Sequence, residues 1–245
     1  MSVGFQIELP HIGQALFTTR AAGNLSLRAG VAHQHGLQAR ERLCRSLRLR
    51  WLCASPQVHG TRVRRVRGIQ GCGGTPLPDA ADGQATATKG VGAMVLVADC
   101  VPIVIAAPHA VAAVHAGWRG LASGVVEEGV TAVLELAGAG AAGELVAIIG
   151  PCAGPCCYVV GEEVHAAFGQ APHGVVGLDA HPLHPSSRPA PRPLDLRWHA
   201  RARLVAAGVE RIQDVEVCTI CDTRMFSHRR EGVDAGRQAA IAWLT

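Results

Sequence analysis

Lysine is almost absent from this sequence: of 23 basic residues only Lys89 is not an arginine. Against 19 acidic residues this leaves a formal charge of +4, too mild to demand a polyanionic partner. Aromatic residues are scarce too, at 4% of the chain. The arginine clusters Arg40, Arg42, Arg45, Arg48, Arg50 and Arg62, Arg64, Arg65, Arg67 therefore have no interleaved rings on which bases would stack. They read as solvated faces, not as a nucleic-acid patch. Apolar runs reach at most about ten residues before Pro, Gly, Asp, Arg or His interrupts them, against the roughly 20 needed to cross a bilayer, so no membrane span is expected. The opening MSVGFQIELPHIG lacks a basic start followed by a long apolar stretch. It does not read as a secretory signal, and the expected location is the cytoplasm. Neither an internal repeat nor a long linker divides the chain, so residues 1–245 are read as a single domain.

What is present points to an enzyme-like globule. Apolar residues make up 49% of the chain, enough for a substantial core. Nine cysteines, an odd number, in a chain read as cytoplasmic suit reduced thiols or metal ligands better than a disulfide framework. Val31 to Leu49 has the apolar spacing of a surface helix. WLCASPQVHG reads as a short buried strand, TRVRRVRG as an alternating strand, and PDAADGQATATKG as a turn-rich loop. Val91 to His115 is nearly all apolar and β-branched and is read as two central strands around the Ala107–Pro108 turn. LASGVVEEGVTAVLELAG follows as a helix and ELVAIIG as a buried strand. A short helix is expected over Glu162 to Phe168, a proline-rich surface loop over HPLHPSSRPAPRPL, a helix over Asp195 to Ala207, a strand at RIQDVEVCT, and then a tail carrying FSHRR. Strands interleaved with helices give the expected fold class, α/β, as a single layered α/β/α domain with a mixed sheet.

The chemistry concentrates where polar residues break apolar strands. If the segments flanking Pro108 form a tight hairpin, the residue opposite Cys100 is 115 or 117, and in both cases Cys100 and His115 share a face because side chains alternate with period two. An unpaired polar group in such strands costs on the order of 1–3 kcal/mol, which implies a partner. A thiolate and an imidazole on one face form half of a metal site. His59, at the end of a strand-like run and before a glycine, is the candidate third donor. Two histidines and one thiolate leave a tetrahedral zinc with one open position, the arrangement of a catalytic site. Such a centre, together with Arg119 in the glycine-flanked HAGWRG at a helix start, favours an anionic substrate such as phosphate.

Two other readings stay open on residue pattern alone. Cys100 as nucleophile with His115 as base and Asp99 as orienting carboxylate would make a cysteine hydrolase, although Asp99, adjacent in a strand, points to the other face. Cys152, Cys156, Cys157, Cys218 and Cys221 include a C-x-x-C and form a possible structural zinc set, but their spacing is loose.

QVHG, VADCVPIVI, AVHAGWRG, IGPCAGPCCYVVGEEV and FSHRREGVDAGRQAAIAWL resemble, in this order, the bacterial laccase-domain or polyphenol-oxidase family, also called the YfiH family. The likeness runs from FTTR, at Phe17–Arg20, to the C-terminus. It implies a YfiH-like layered α/β fold and a metal, zinc with copper as the alternative, on His59, Cys100 and His115. It further implies substrate contacts at Arg20, Cys157, Tyr158, Arg229 and Arg230. The implied activity is purine nucleoside phosphorolysis of adenosine, inosine, guanosine and methylthioadenosine, together with adenosine deamination; the expected partners are nucleoside and phosphate, and the chain is expected to be a monomer. A copper polyphenol oxidase and an editing hydrolase for a peptidoglycan precursor are the alternatives. The sequence departs from the family's pattern over TTRAAGNLSLRAG, which bears on Arg20.

Overall fold

The computed structural model of the protein describes residues 3–10, 13–27, 31–169 and 192–245. In chain order the elements are β1 (Gly4–Leu9), β2 (Gly13–Thr18), α1 (Val31–Ser46), β3 (Trp51–Cys53), β4 (Val63–Val66), β5 (Gly83–Thr86) and β6 (Val91–Val97). The central hairpin β7 (Val101–Ala107) and β8 (Ala110–Ala116) follows, then α2 (Trp118–Ser123), α3 (Val125–Ala137), β9 (Val146–Ile149), β10 (Val159–Val160) and α4 (Glu162–Ala167). The last third holds β11 (Arg192–Pro193), α5 (Leu196–Ala206), β12 (Arg211–Asp214), α6 (His228–Glu231) and β13 (Gln238–Leu244).

Eleven of the strands divide between two sheets, ordered β1-β2-β13-β6-β3 and β12-β9-β7-β8-β5-β4. Both are mixed: β3 pairs with β6, β4 with β5 and β12 with β9 in parallel, and the other pairs are antiparallel. The sheets stack face to face, and strand alternation shows how. In β13, Ala240, Ala242 and Leu244 pack against Val104, Ala106, Val111 and Ala113 of the six-stranded sheet. The intervening Ala239, Ile241 and Trp243 pack outward with Leu43 and Cys44 of α1. Ile103, Ile105 and Val114 turn the other way and are buried under Val126, Val130 and Val133 of α3 and Leu196, Ala200 and Leu204 of α5. The layered mixed α/β architecture is as expected, with its sheet layer double, so the order is α/β/β/α.

Several local expectations need correction. The helix read through LASGVVEEGVTAVLELAG is two helices, because Gly124 takes a left-handed φ of 103° and ends α2 before α3 begins. The region Val91 to His115 holds three strands where two were expected. PDAADGQATATKG is not all loop, since GQAT forms β5, fully buried between β4 and β8. The proline-rich HPLHPSSRPAPRPL lies outside the described residues up to position 191; its Arg192 and Pro193 form a two-residue strand paired with Val159 and Val160. The tail contains a full central strand, β13, and β1 with β2 form an N-terminal hairpin. Of the first arginine cluster, Arg42, Arg45, Arg48 and Arg50 are exposed as read, but Arg40 is buried and donates to the carbonyls of Leu25 and Gly74. Among the described residues no helix is long and apolar enough to cross a membrane.

Candidate metal centre

The β7–β8 hairpin turns on Pro108 and His109, with Ala107 paired to Ala110 and Val101 to Ala116. Continued by one residue, that register sets Cys100 opposite Gly117, the second of the two options the sequence left. Cys100 and His115 therefore lie on the face of Val104 and Ala113, toward the other sheet. His59 arrives on the loop between β3 and β4 with a left-handed φ of 59°. One ligand atom from each of His59, Cys100 and His115 lies within 4.8 Å of the others, Cys100 Sγ being 3.8 Å from His59 Nε2. The imidazoles meet edge to face at 4.8 Å.

Gly117 makes this approach possible. A Cβ there would lie 2.5 Å from His59 Cδ2 and 3.3 Å from Cys100 Sγ, so any side chain would displace the ring.

The residue that organises the centre is one the sequence reading passed over. Asp82, fully buried, stands just before β5 and opposite His115, one step beyond the Gly83–Val114 pair. Its carboxylate accepts from the backbone N–H groups of Val58, His59 and Gly60 at 3.2, 2.9 and 2.7 Å, and its Oδ1 lies 2.8 Å from His115 Nδ1. One side chain thus fixes the His59 loop and the His115 ring together. With Nδ1 so engaged, Nε2 of His115 is the nitrogen turned to the centre. Burial alone would raise the Asp82 carboxyl, but the His115 hydrogen bond and the loop N–H groups outweigh it and hold it below the usual range.

The same competition shapes the donors. Burial would push the Cys100 thiol up; the charge and hydrogen bond of His115, with the hydrogen bond of His59, bring it down to about 6. Burial would lower the His115 imidazole; the Cys100 thiolate and Asp82 raise it to about 9. Protein alone thus stabilises a thiolate beside an imidazolium, a charge pattern that a cation on Nε2 and Sγ would replace. The donor set fits a borderline-soft metal: one thiolate, two imidazoles, an orienting carboxylate behind one ring, and three members only among the described residues.

A cleft of about 380 Å³ is lined by Trp118, Arg119, Tyr158, Gly161, Glu163 and Arg229, among others. Arg119 lies over the Trp118 ring at 4.2 Å, and Arg229 is 5.1 Å from the Tyr158 ring centre. Burial raises the Tyr158 phenol and the Cys100 charge raises it further. Trp118 and Arg119 open α2, which starts two residues after the end of β8, the strand that carries His115. Arg229 is held by its backbone N–H on Asp99 Oδ2 at 2.7 Å and by its guanidinium on the Val159 carbonyl at 2.8 Å. Asp99 also accepts from Thr219 Oγ1 at 2.6 Å. Asp99 stands outside β7 with a left-handed φ of 91°, so strand alternation does not orient it; both its carboxylate oxygens are engaged, and it is Asp82 that meets the His115 ring.

Three other residues that the family resemblance implied as contacts are engaged elsewhere. Arg230 donates to the carbonyls of Thr219, Ile220 and Met225 and to Glu231. Arg20 pairs with Glu231, donates to Met225 O and stacks on Phe226 at 4.3 Å. Cys157 points to Cys221, 3.2 Å away, in a second group with Cys156 and Cys218 that forms despite the loose spacing of these cysteines in the sequence. Cys152 is not part of that group.

A sequence model of the family described as "multi-copper polyphenol oxidoreductase laccase" matches residues 14–245. A curated "purine nucleoside phosphorylase" of Xylella fastidiosa is 36% identical over 244 residues, covering 96% of this chain and 88% of the relative. "Purine nucleoside phosphorylase YlmD" of Geobacillus stearothermophilus is 33% identical, with 90% of this chain and 83% of the relative covered. The crystal structure of YlmD from that organism superimposes with a TM-score of 0.78 at 31% identity, over 96% of this chain and 94% of the other. The crystal structure of the Bacillus licheniformis hypothetical protein YfiH gives 0.78 at 26% identity, over 95% and 93%.

Proposed function

The chain belongs to the laccase-domain family to which YfiH and YlmD also belong, and from that premise we propose that it is a zinc-dependent purine nucleoside phosphorylase that also deaminates adenosine. The observation that carries the reading is a three-donor centre beside a cleft lined by two arginines and a tyrosine. A laccase needs several coppers and many histidines, whereas the two metal-competent groups among the described residues contain two histidines between them. That balance favours nucleoside chemistry over polyphenol oxidation.

In this reading His59, Cys100 and His115 hold the zinc, which supplies Lewis-acid polarisation of an oxygen and, for deamination, activation of water. Asp82 keeps Nδ1 of His115 protonated and directs Nε2 inward. Arg119 and Arg229 hold hydrogen phosphate by charge-assisted bonds, and Tyr158 offers a ring face and a phenol to the nucleoside. As a phosphate oxygen bonds to the ribose anomeric carbon, the bond from that carbon to the purine nitrogen breaks and the phosphate's proton passes to the base. The products are free purine and ribose 1-phosphate, or 5-methylthioribose 1-phosphate from methylthioadenosine. Adenosine, inosine, guanosine and methylthioadenosine are the substrates proposed. The same reading takes the chain as one domain, a cytoplasmic monomer with no nucleic-acid or membrane partner.

Adenosine given to the purified zinc-loaded protein should yield adenine only when phosphate is present, and inosine in either case. No purine product under any of these conditions would refute the proposal.

One observation favours a second reading. Cys100, His115 and Asp82 stand in the order of nucleophile, base and orienting carboxylate, with the thiol already depressed to about 6. A cysteine hydrolase, such as an editor of a peptidoglycan precursor, would stay active after metal removal and would be inactivated by iodoacetamide in that state.

A further inference from the structure

Four cysteines lie together outside the centre described above. Cys156 and Cys157 stand on the loop after β9, and Cys218 and Cys221 on the loop after β12, brought side by side because β9 and β12 pair in parallel. All four sulfur atoms lie within 4.8 Å of one another, with Cys157 Sγ 3.2 Å and Cys156 Sγ 3.6 Å from Cys221 Sγ. None of the nine cysteines is in a disulfide. Zinc bound tetrahedrally by thiolates at about 2.3 Å sets its sulfurs about 3.8 Å apart, so shifts of a few tenths of an ångström to about 1 Å bring this group, at 3.2 and 3.6 Å for two pairs and within 4.8 Å for all, onto one ion.

We propose that Cys156, Cys157, Cys218 and Cys221 bind one structural zinc ion, separate from the catalytic centre. The surroundings fit a thiolate cage. The backbone N–H of Gly154 donates to Cys218 Sγ at 3.2 Å. Such donors stabilise sulfur charge around a tetrahedral metal and fix its ligands. Cys156 and Cys221 are exposed, which gives the ion an entry path. Four sulfur ligands leave no open position, so the site is structural and closed. Binding releases the thiol protons to solvent and needs no oxidant.

The location gives the ion a task. The Cys156–Cys157 loop donates Ala153 N–H to the Asp99 carbonyl at 2.8 Å, and the Cys218–Cys221 loop supplies Thr219 to the Asp99 carboxylate. Asp99 precedes Cys100 and holds the backbone of Arg229, and Tyr158 follows Cys157 directly. A zinc ion clamping the two loops would fix one wall of the cleft.

Elemental analysis of protein purified under reductant and desalted tests this without reference to activity. Wild type should carry two zinc ions per chain, Cys100→Ser one, and Cys156→Ser with Cys221→Ser one. Zinc-free Cys100→Ser protein, iron in place of zinc at one equivalent, or a disulfide between Cys157 and Cys221 in metal-free protein would overturn the proposal. Should the double variant not fold, cobalt-loaded Cys100→Ser protein decides. Near-ultraviolet thiolate-to-cobalt absorption of four-sulfur intensity supports the cage, and its absence overturns it. Loss of the catalytic metal alone would leave this result unchanged, so the two sites succeed or fail separately.

Discussion

Asp82 Oδ1 and His115 Nδ1 are 2.8 Å apart, and the same carboxylate receives three backbone N–H groups from the loop that carries His59. Two donors from distant parts of the chain are therefore aligned by one buried side chain. Asp82→Asn removes the charge and sets an amide N–H group against backbone N–H donors. The half-activating free zinc concentration should rise about 10–100-fold, and the midpoint of thermal unfolding should fall, by about 1–3 kcal/mol of stability. Unchanged zinc dependence in a chelator-buffered assay would remove Asp82 from this role.

Gly117→Ala separates site from fold. Gly117 has an ordinary extended backbone, φ −71° and ψ 162°, so alanine costs nothing there conformationally, but its methyl would meet His59 Cδ2 at 2.5 Å. Turnover should drop about 100-fold through misplacement of one ligand, with a melting temperature within a few degrees of wild type. Full activity in this variant would show that His59 is not held at the centre.

Arg119 and Arg229 are assigned to the anion. Arg119→Ala should raise KM for phosphate about tenfold or more, the loss of one charge-assisted hydrogen bond, with a smaller change in KM for the nucleoside. Equal effects on both substrates would contradict the assignment.

Two buried thiols away from the triad set an alkaline limit on stability. Burial pushes both Cys53 and Cys152 up to about 12, against an ordinary thiol value of 9.0. Below pH 9 both states hold these protons and the stability they contribute is complete. As pH rises from about 9 to about 12 the unfolded chain releases them first, so stability falls by up to about 1.4 kcal/mol per pH unit for each thiol. Urea unfolding followed between about pH 8 and pH 11 should show this fall, and Cys53→Ala should remove one thiol's share of the slope. An identical slope in the variant would count against it.

The hairpin and its two candidate donors were legible because Cys100 and His115 break runs of β-branched residues, and alternation then fixes their shared face whatever the turn. Asp82 was not, because β5 is four residues long, starts with glycine and carries Gln84 and Thr86, polar residues that nonetheless lie fully buried. Its one signal was an acidic residue immediately before a short alternating segment. β13 shows a clean alternation of Ile241 and Trp243 with alanines, which was hidden inside a segment read as tail. The engagement of Arg20 and Arg230 by Glu231 and backbone carbonyls depends on a tertiary corner that sequence order does not reveal. The meeting of the four cysteines follows from the parallel pairing of β9 with β12, which loop spacing alone cannot express.

Anomalous diffraction at the zinc edge, on crystals grown with zinc and phosphate, tests the central claim most directly. The account predicts a peak about 2.0–2.3 Å from His59 Nε2, Cys100 Sγ and His115 Nε2, with the fourth ligand not from the protein. A peak absent from that point, or one completed by a fourth protein side chain, would contradict it.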